Sequence, residues 1–189
     1  MAGGGEGFAA DGGFAADGGF EGRTHSMIPL LRVQQPEPFD IVDGRVLVAG
    51  VGIAFEANLV VVVRDATGAV LVQTFFNTAG GDVLSNFQTQ VELPVVPGTP
   101  NGFVEVVDRG GADLPISLVI VPVVFGTHLV EGYRGFQLRL VVPGDTLFDI
   151  ATEFYGDGNL FWRIFEANRN QIGDPNLILV GQTLRIPLA

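Results

Sequence analysis

Side chains that could carry catalysis or bind a metal are few and far apart in this sequence. The chain has no Cys, which excludes thiolate metal sites, disulfides and cysteine nucleophiles. Its histidines, His25 and His128, lie about a hundred positions apart, with no sequence partners for a metal site or a triad. Ser26, Ser85 and Ser117 lack the context of a nucleophile elbow. We therefore interpret both histidines as solvated linker residues and expect no enzyme activity, metal or cofactor.

The carboxylates do not form a convincing catalytic pair or calcium site in the sequence either. Glu153 and Glu166 could form an acid–base pair, but the helical pattern places both on polar faces, where we expect them to be solvated. Asp157 lies in a Gly-Asp-Gly segment without the alternating carboxylates of a calcium loop, so we interpret it as a turn. The sequence therefore disfavours a hydrolase and favours a binding function.

The charge and the apolar runs of the chain limit the kinds of partner that it can bind. The net charge is −11, and every basic residue is Arg or His. Such a chain repels phosphate backbones and anionic lipids, so nucleic-acid binding is not expected. The longest apolar runs, Leu59–Val63 and Leu118–Phe125, are far shorter than the roughly 20 residues that span a bilayer. The N-terminus has no basic region followed by an apolar one, so we do not expect a secretory signal there.

The C-terminal fifty or so residues have the pattern of a small unit of their own. Residues 137–142 alternate as a strand does and end at Pro143-Gly144, after which Asp145 or Thr146 can cap a helix. The apolar face of that helix comprises Leu147, Ile150, Ala151 and Phe154, and the Tyr155–Gly158 segment ends it. A second helix over 159–167 buries Leu160, Phe161, Ile164 and Phe165. Residues 183–186 form a closing strand.

This pattern resembles the LysM family over the whole of residues 137–189. The residues that carry the resemblance are Val142-Pro-Gly-Asp-Thr-Leu147, Ile150-Ala151, Phe154-Tyr-Gly156, Ile164, Glu166-Ala-Asn168, Asp174-Pro-Asn-Leu-Ile178 and Gly181-Gln-Thr-Leu-Arg-Ile-Pro187. The resemblance implies a small α+β (βααβ) module, in which a two-stranded antiparallel sheet carries both helices on one face. The long inter-helix segment Tyr155–Trp162 resembles members found in tail-like particles and cytoplasmic proteins. We expect its Trp162 to cover the small core or to form an exposed platform.

The resemblance also implies a shallow groove for N-acetylglucosamine-containing glycan, lined by two loops. The first loop comprises Gly144, Asp145, Thr146, Leu147 and Phe148, and the second comprises Asp174, Pro175, Asn176, Leu177 and Ile178. Backbone N–H and C=O groups of these loops could bind the acetamido group of the sugar. Leu177 and Ile178 could contact its methyl group, whereas we expect Leu147 to be mainly core.

Residues 27–126 read as an all-β domain. Seven or so short apolar segments are separated by turn signals, which predicts a β-sandwich. The segments 58–64 and 69–76 flank Asp65-Ala-Thr-Gly68 and predict a hairpin. The motif Gly50-Val-Gly-Ile-Ala-Phe-Glu-Ala-Asn-Leu59, with the strand and hairpin after it, resembles the immunoglobulin-like domain of bacterial spore-germination-associated proteins. That resemblance implies an extracytoplasmic accessory domain without catalytic residues.

Two further segments complete the organisation. Residues 1–26 are rich in Gly and repeat Phe-Ala-Ala-Asp-Gly-Gly, which predicts a flexible tail with docking anchors at Phe8, Phe14 and Phe20. Residues 127–136 form a short linker, which allows the two domains limited freedom. The sequence thus predicts a multi-domain chain of tail, 27–126 sandwich, linker and 137–189 LysM module.

Two functions stay open at this point. The first is a non-enzymatic protein that binds peptidoglycan or another N-acetylglucosamine polymer at the cell envelope or outside the cell, with the sandwich as spacer or protein-contact domain. The second is a structural component of a secreted filament or tail-like assembly, in which the LysM module and the Phe-rich tail dock onto protein subunits. The absence of a visible signal leaves cytoplasmic assembly open.

Overall fold

The computed structural model describes residues 31–53, 58–78, 83–109 and 117–189. The predicted tail with Phe8, Phe14 and Phe20 lies outside the described residues, as does His25. Part of the Gly50–Leu59 motif also lies outside them. Its flanking strands are described, and they belong to two different sheets.

Residues 31–125, which we call the β-domain, contain eight strands in the described part of the chain. They are β1 (Leu31–Gln35), β2 (Asp40–Val42), β3 (Arg45–Gly52), β4 (Asn58–Asp65), β5 (Val70–Asn77), β6 (Ser85–Glu92), β7 (Asn101–Asp108) and β8 (Ser117–Phe125). One sheet has the order β1-β3-β6, and the other has the order β2-β8-β7-β4-β5. The pairings are antiparallel except that of β2 with β8, which is parallel and was not expected.

The two sheets share one hydrophobic core. Alternate residues of each strand point inward, as the period-two pattern predicts. The buried residues of this core are Leu31, Val42, Val46, Val48, Leu59, Val61, Val63, Phe87, Val91, Val104, Val106, Val123 and Phe125. Because both sheets contribute, neither layer is complete without the other.

The predicted hairpin at Asp65 is confirmed. One carboxylate oxygen of Asp65 accepts hydrogen bonds from the Thr67 backbone N–H at 2.9 Å, the Thr67 hydroxyl at 2.6 Å and the Ala69 N–H at 3.1 Å. Gly68 completes the turn with a φ of +88°, a conformation that favours glycine. The Thr67 hydroxyl bond is the largest of the effects that hold the pKa of Asp65 below its ordinary value.

Residues 135–189, which we call the C-terminal module, follow the predicted order. Its elements are β9 (Gly135–Leu140), α2 (Leu147–Tyr155), a single 3₁₀ turn (Gly158–Leu160), α3 (Phe161–Ala167) and β10 (Thr183–Leu188), and a short helix α1 (Gly126–Leu129) precedes them. β9 pairs antiparallel with β10. Thr146 caps α2 as expected, and Gly156 ends it with a φ of +74°. No helix in the described residues is long and apolar enough to cross a membrane.

The C-terminal module has a core of its own. Its buried residues are Val141, Leu147, Ile150, Ala151, Ile164, Ile172, Leu184 and Ile186. A fully buried amide, that of Asn168, joins the last helix to the last strand. Its Nδ2 donates to the carbonyls of Ile164 at 2.7 Å and Arg185 at 2.8 Å, and its Oδ1 accepts from the Arg185 N–H at 2.8 Å. Each of these bonds satisfies a polar group that burial would otherwise penalise.

The linker is part of a packed junction between the two domains. Leu129, Val130 and Tyr133 are buried, and α1 packs against α3. Leu129 and Val130 cluster with Val124 of β8 and with Ala167 of α3, and Trp162 covers the same cluster. Trp162 therefore packs at the junction, so neither of its two expected positions, over the small core or as an exposed platform, is correct.

Polar contacts reinforce the junction. The Asn101 amide donates to the Glu166 carboxylate at 2.8 Å, and the Arg185 guanidinium donates to the Phe39 carbonyl at 3.1 Å. His128 Nδ1 lies 3.0 Å from the Pro97 carbonyl, and its ring meets Trp162 edge-on. The prediction that His128 and Glu166 are merely solvated was wrong. His128 contacts both the Pro97 carbonyl and the Trp162 ring, and Glu166 accepts from Asn101 in addition to pairing with Arg169 in its own module.

Candidate functional site

A groove of about 320 Å³ lies between the two predicted loops of the C-terminal module. Its lining residues are Asp145, Thr146, Leu147, Phe148, Phe161, Pro175, Asn176 and Ile178. Most of the predicted glycan-binding residues thus line one groove, whereas Gly144, Asp174 and Leu177 do not. The sequence missed Phe161, because its position in the buried stripe of the second helix suggested a core role only. The groove volume is within the lower range of small-molecule sites.

The first loop is held in shape by its own side chains. Gly144 adopts a φ of +93°, which lets the chain turn from β9 into the loop. The Asp145 carboxylate accepts from the Val142 N–H at 2.9 Å and lies 3.5 Å from the Arg139 guanidinium. Thr146 Oγ1 accepts from the Asp149 N–H at 3.1 Å. These polar side chains are therefore engaged in building the loop.

The second loop is a tight turn fixed by Asp174. Its Oδ1 accepts from the Asn176 N–H at 2.9 Å and from the Asn176 side-chain amide at 3.0 Å. The Leu177 N–H donates to the Asp174 carbonyl at 3.0 Å, and the Leu177 side chain is exposed. Ile178 instead packs against the module core. Asp174 thus supports the groove from behind and sets the position of Asn176 beside it.

One wall of the groove is aromatic. Phe148 is 51% exposed, and its ring lies against Gly158, where an added Cβ would come within 2.4 Å of the ring. Only glycine at position 158 therefore leaves room for the ring in this position. Phe161 is half-buried beside it, and Leu147 is buried beneath, as predicted. The wall presents a fixed aromatic surface to the groove.

Two of the residues that line the groove also have backbone N–H groups without a helical acceptor. Leu147 and Phe148 occupy the first turn of α2, where N–H groups have no acceptor within the helix. Such groups can donate to a ligand carbonyl. The groove therefore combines apolar side chains with backbone hydrogen-bonding groups.

Titratable groups with shifted pKa values lie elsewhere. Burial raises the pKa of the Tyr155 hydroxyl, which donates to the Pro187 carbonyl at 3.1 Å, and burial lowers the pKa of Arg185. Neither residue lines the groove. Among the described residues, no group of three or more His, Asp or Glu side chains could hold a metal ion.

The family comparisons agree with both parts of this architecture. Residues 30–113 match the immunoglobulin-like domain of bacterial spore germination, and residues 140–187 match the LysM domain. The chain carries these two domains in that order. Both families are binding modules and not catalytic domains. From here the β-domain is called the immunoglobulin-like domain, and the C-terminal module is called the LysM module.

Individual relatives are similar over short stretches. The potassium binding protein Kbp of Escherichia coli is 47% identical over 51 residues, which are 27% of this chain and 34% of that protein. An esterase of Mycobacterium tuberculosis is 46% identical over 52 residues, 28% of this chain and 11% of the esterase. An uncharacterized protein of Deinococcus radiodurans is 45% identical over 53 residues, 28% and 20% of the two chains. The chain thus spans about a third or less of these relatives. No solved structure matches it.

Proposed function

We propose that this protein is a non-enzymatic glycan-binding protein. Its LysM module would take N-acetylglucosamine-containing glycan, with bacterial peptidoglycan as the leading ligand, into the groove between the two loops. The observation that carries the proposal is the groove itself. Residues from both loops, among them Thr146, Phe148 and Asn176, line one concave surface of the LysM module.

The chemistry of the groove fits an acetamido sugar. The sugar ring has an apolar face that can pack on the exposed ring of Phe148. The acetamido carbonyl needs a donor, which a first-turn N–H of α2 can supply, and the acetamido N–H needs a carbonyl acceptor from a loop. The Asp145 carboxylate pairs with the Arg139 guanidinium, so the charge of Asp145 beside the groove is neutralised. An uncharged ligand therefore fits better than an ionic one.

The two domains have separate roles in this proposal. The two-layer domain forms an immunoglobulin-like sandwich, and the LysM module forms a βααβ unit. The sandwich serves as a spacer or protein-contact domain at the cell envelope or outside the cell. Since a single LysM module binds without the avidity of repeats, we expect a weak interaction, with a dissociation constant of roughly a millimolar or somewhat below.

Cosedimentation with purified peptidoglycan tests the proposal. The full chain should pellet with peptidoglycan and should be released by soluble N-acetylglucosamine oligomers. Phe148→Ala should lower the bound fraction at least severalfold, because it removes the aromatic wall. The same substitution should cost about 1 kcal/mol of stability or less, because the ring is half exposed.

Val96→Ala is the control. Val96 is 71% exposed in the segment between β6 and β7 and does not line the groove. Its replacement should leave cosedimentation unchanged. Equal loss in both variants, or no pelleting of the wild-type chain, would count against a glycan site in the groove.

A further inference from the structure

The five-stranded sheet has a second apolar side, which we call the outer face because it points away from the shared core. Directly paired residues of antiparallel strands point to the same side of a sheet. One row of such pairs runs across four strands through Phe75, Val60, Val107 and Leu118. Val60 and Val107 belong to a buried cluster distinct from the main core. The row therefore lies on the outer side of the sheet.

Two further rows continue the outer face. The middle row contains Gln73, Val62, Glu105 and Ile120, and the third contains Val70, Arg64, Phe103 and Pro122. Large apolar side chains stand open in all three rows, with Phe75 68%, Ile120 52% and Val70 50% exposed. Val60, Val62 and Val107 between them are buried, so the open side chains surround a covered centre. An exposed apolar patch of this size is often an interaction site.

The LysM module covers the next row of the same face. Asn101 pairs with Val124, so the two residues continue the outer face by one step beyond Phe103. Val124 packs in the junction cluster with Ala167, and the Asn101 amide binds Glu166. The outer face is thus already a protein contact at one end, and its open part continues directly from that contact.

Charge favours a second copy of this chain as the occupant. The chain carries a net charge of −11, so copies repel each other over most of their surface. Within the three rows the charged residues are Arg64 and Glu105, whose side chains pair at 3.1 Å and cancel. Two copies can therefore bring their outer faces together without placing like charges against each other.

The size of the face sets the strength of that contact. Four strands about 4.8 Å apart, with about 3.3 Å of rise per residue, give the open rows a footprint of roughly 400 Å². A standard stable interface buries about 800 Å² on each partner. The footprint is about half of that, which corresponds to a weak, reversible contact and not to an obligate dimer.

We propose that the outer face of the immunoglobulin-like domain is a self-association surface, through which two copies pack sheet against sheet. The packing is isologous, so each copy contributes the same rows. The groove residues lie in the LysM module and not on the outer face, so each copy in the dimer carries its own groove.

Sedimentation equilibrium of the full chain tests this proposal, from about 10 µM to about 1 mM protein and at about 0.05 and 0.5 M salt. We expect a reversible monomer–dimer equilibrium that shifts toward dimer at high salt, because salt screens the repulsion between acidic copies. Ile120→Asp should weaken association tenfold or more, since it places an unpaired charge in the contact. Phe75→Ser, which removes a ring at the other end of the face, should also weaken it.

Val96→Asp serves as the control. Val96 is 71% exposed in the segment between β6 and β7, off the outer face, so this variant should associate like the wild type. Circular dichroism checks that each variant is folded. A wild-type chain that stays monomeric at about 1 mM, or an Ile120→Asp chain that still dimerises, overturns the proposal. Loss of association on replacing Phe8, Phe14 and Phe20 together by Ser would assign the contact to the tail and also overturn it.

Discussion

The groove of the LysM module and the outer face of the immunoglobulin-like domain both expose apolar side chains, yet the backbone contributes differently to each. The groove is formed by two loops and the start of α2, where the N–H groups of Leu147 and Phe148 have no acceptor within the helix. The outer face is formed by β4, β7 and their neighbours, whose backbone groups bond to each other along the sheet.

This difference separates two kinds of ligand. A surface with unpaired backbone groups can bind a molecule that is itself polar, such as a sugar with its acetamido group. The face of a sheet offers side chains alone, because the backbone N–H and C=O groups lie in the plane of the sheet. The side chains of the outer face are mostly apolar. This face therefore suits another apolar protein surface. The junction at Trp162 and Glu166 holds the two surfaces in one arrangement.

A substitution in the core of the LysM module should give the largest loss of stability. Ile164 is fully buried in the core of the LysM module. Ile164→Ala should cost about 2–5 kcal/mol of unfolding free energy, as truncation of buried aliphatic side chains does. Ile164→Val, the matched control, should cost only about 0.5–1.5 kcal/mol. Denaturant melts measure both.

Hydrogen exchange on the same variant shows whether the two domains lose protection independently. If the LysM module rests on its own core, Ile164→Ala should lower protection of α2 and α3 while β4 and β7 keep theirs. A loss below about 1 kcal/mol in the melts would show that this position is not core. Equal loss of protection in both domains would show that the groove and the outer face do not rest on independently stable cores.

The second effect concerns the junction that joins the two surfaces. Glu166→Ala leaves the Asn101 amide without its carboxylate partner and should cost about 1–3 kcal/mol. Glu153→Ala is the matched control on the neighbouring helix. The Glu153 side chain is 57% exposed and pairs with Arg139 at the surface, so its loss should cost less than about 0.5 kcal/mol. Similar losses of unfolding free energy in the two variants would show that Glu166 does not stabilise the junction.

The smallest effect is a pH dependence at the edge of the outer face. The pKa of Asp65 is lowered mainly by the Thr67 hydroxyl, so its carboxylate stabilises the β4–β5 hairpin above the ordinary carboxyl value of 3.8. That contribution is lost as the pH falls through the lowered pKa. Hairpin amides should therefore lose protection below about pH 4, and less steeply in Asp65→Asn than in the wild type. Identical slopes in the two proteins would contradict this role of Asp65.

The sequence predicted local structure better than contacts between domains. The cap at Thr146, the helix end at Gly156 and the turn at Asp65 depend on neighbouring residues alone, and all are confirmed. Most predicted groove residues also lie together, because the LysM resemblance specified the loops that carry them. Phe161 was missed as a groove residue. Helical periodicity distinguishes buried from exposed positions, but it does not show whether a half-buried side chain faces the core or the groove.

Residues at the junction could not be predicted in the same way. The roles of His128, Trp162 and Glu166 depend on how one domain sits against the other, and no local pattern encodes that placement. The parallel pairing of the short strand β2 with β8 joins residues about eighty positions apart and is likewise non-local. The outer face escaped notice because strands with apolar residues on both sides read as ordinary buried strands.

Glycan should enter the LysM groove and avoid the outer face, and an NMR titration tests this directly. The isotope-labelled full chain is titrated with N-acetylglucosamine oligomers to about 10 mM, a range that covers weak sites. We expect shifts at the amides of Thr146, Leu147, Phe148, Phe161, Asn176 and Ile178, with no change at Phe75, Phe103 or Ile120. Shifts confined to the immunoglobulin-like domain, or none at the highest concentration, would contradict it.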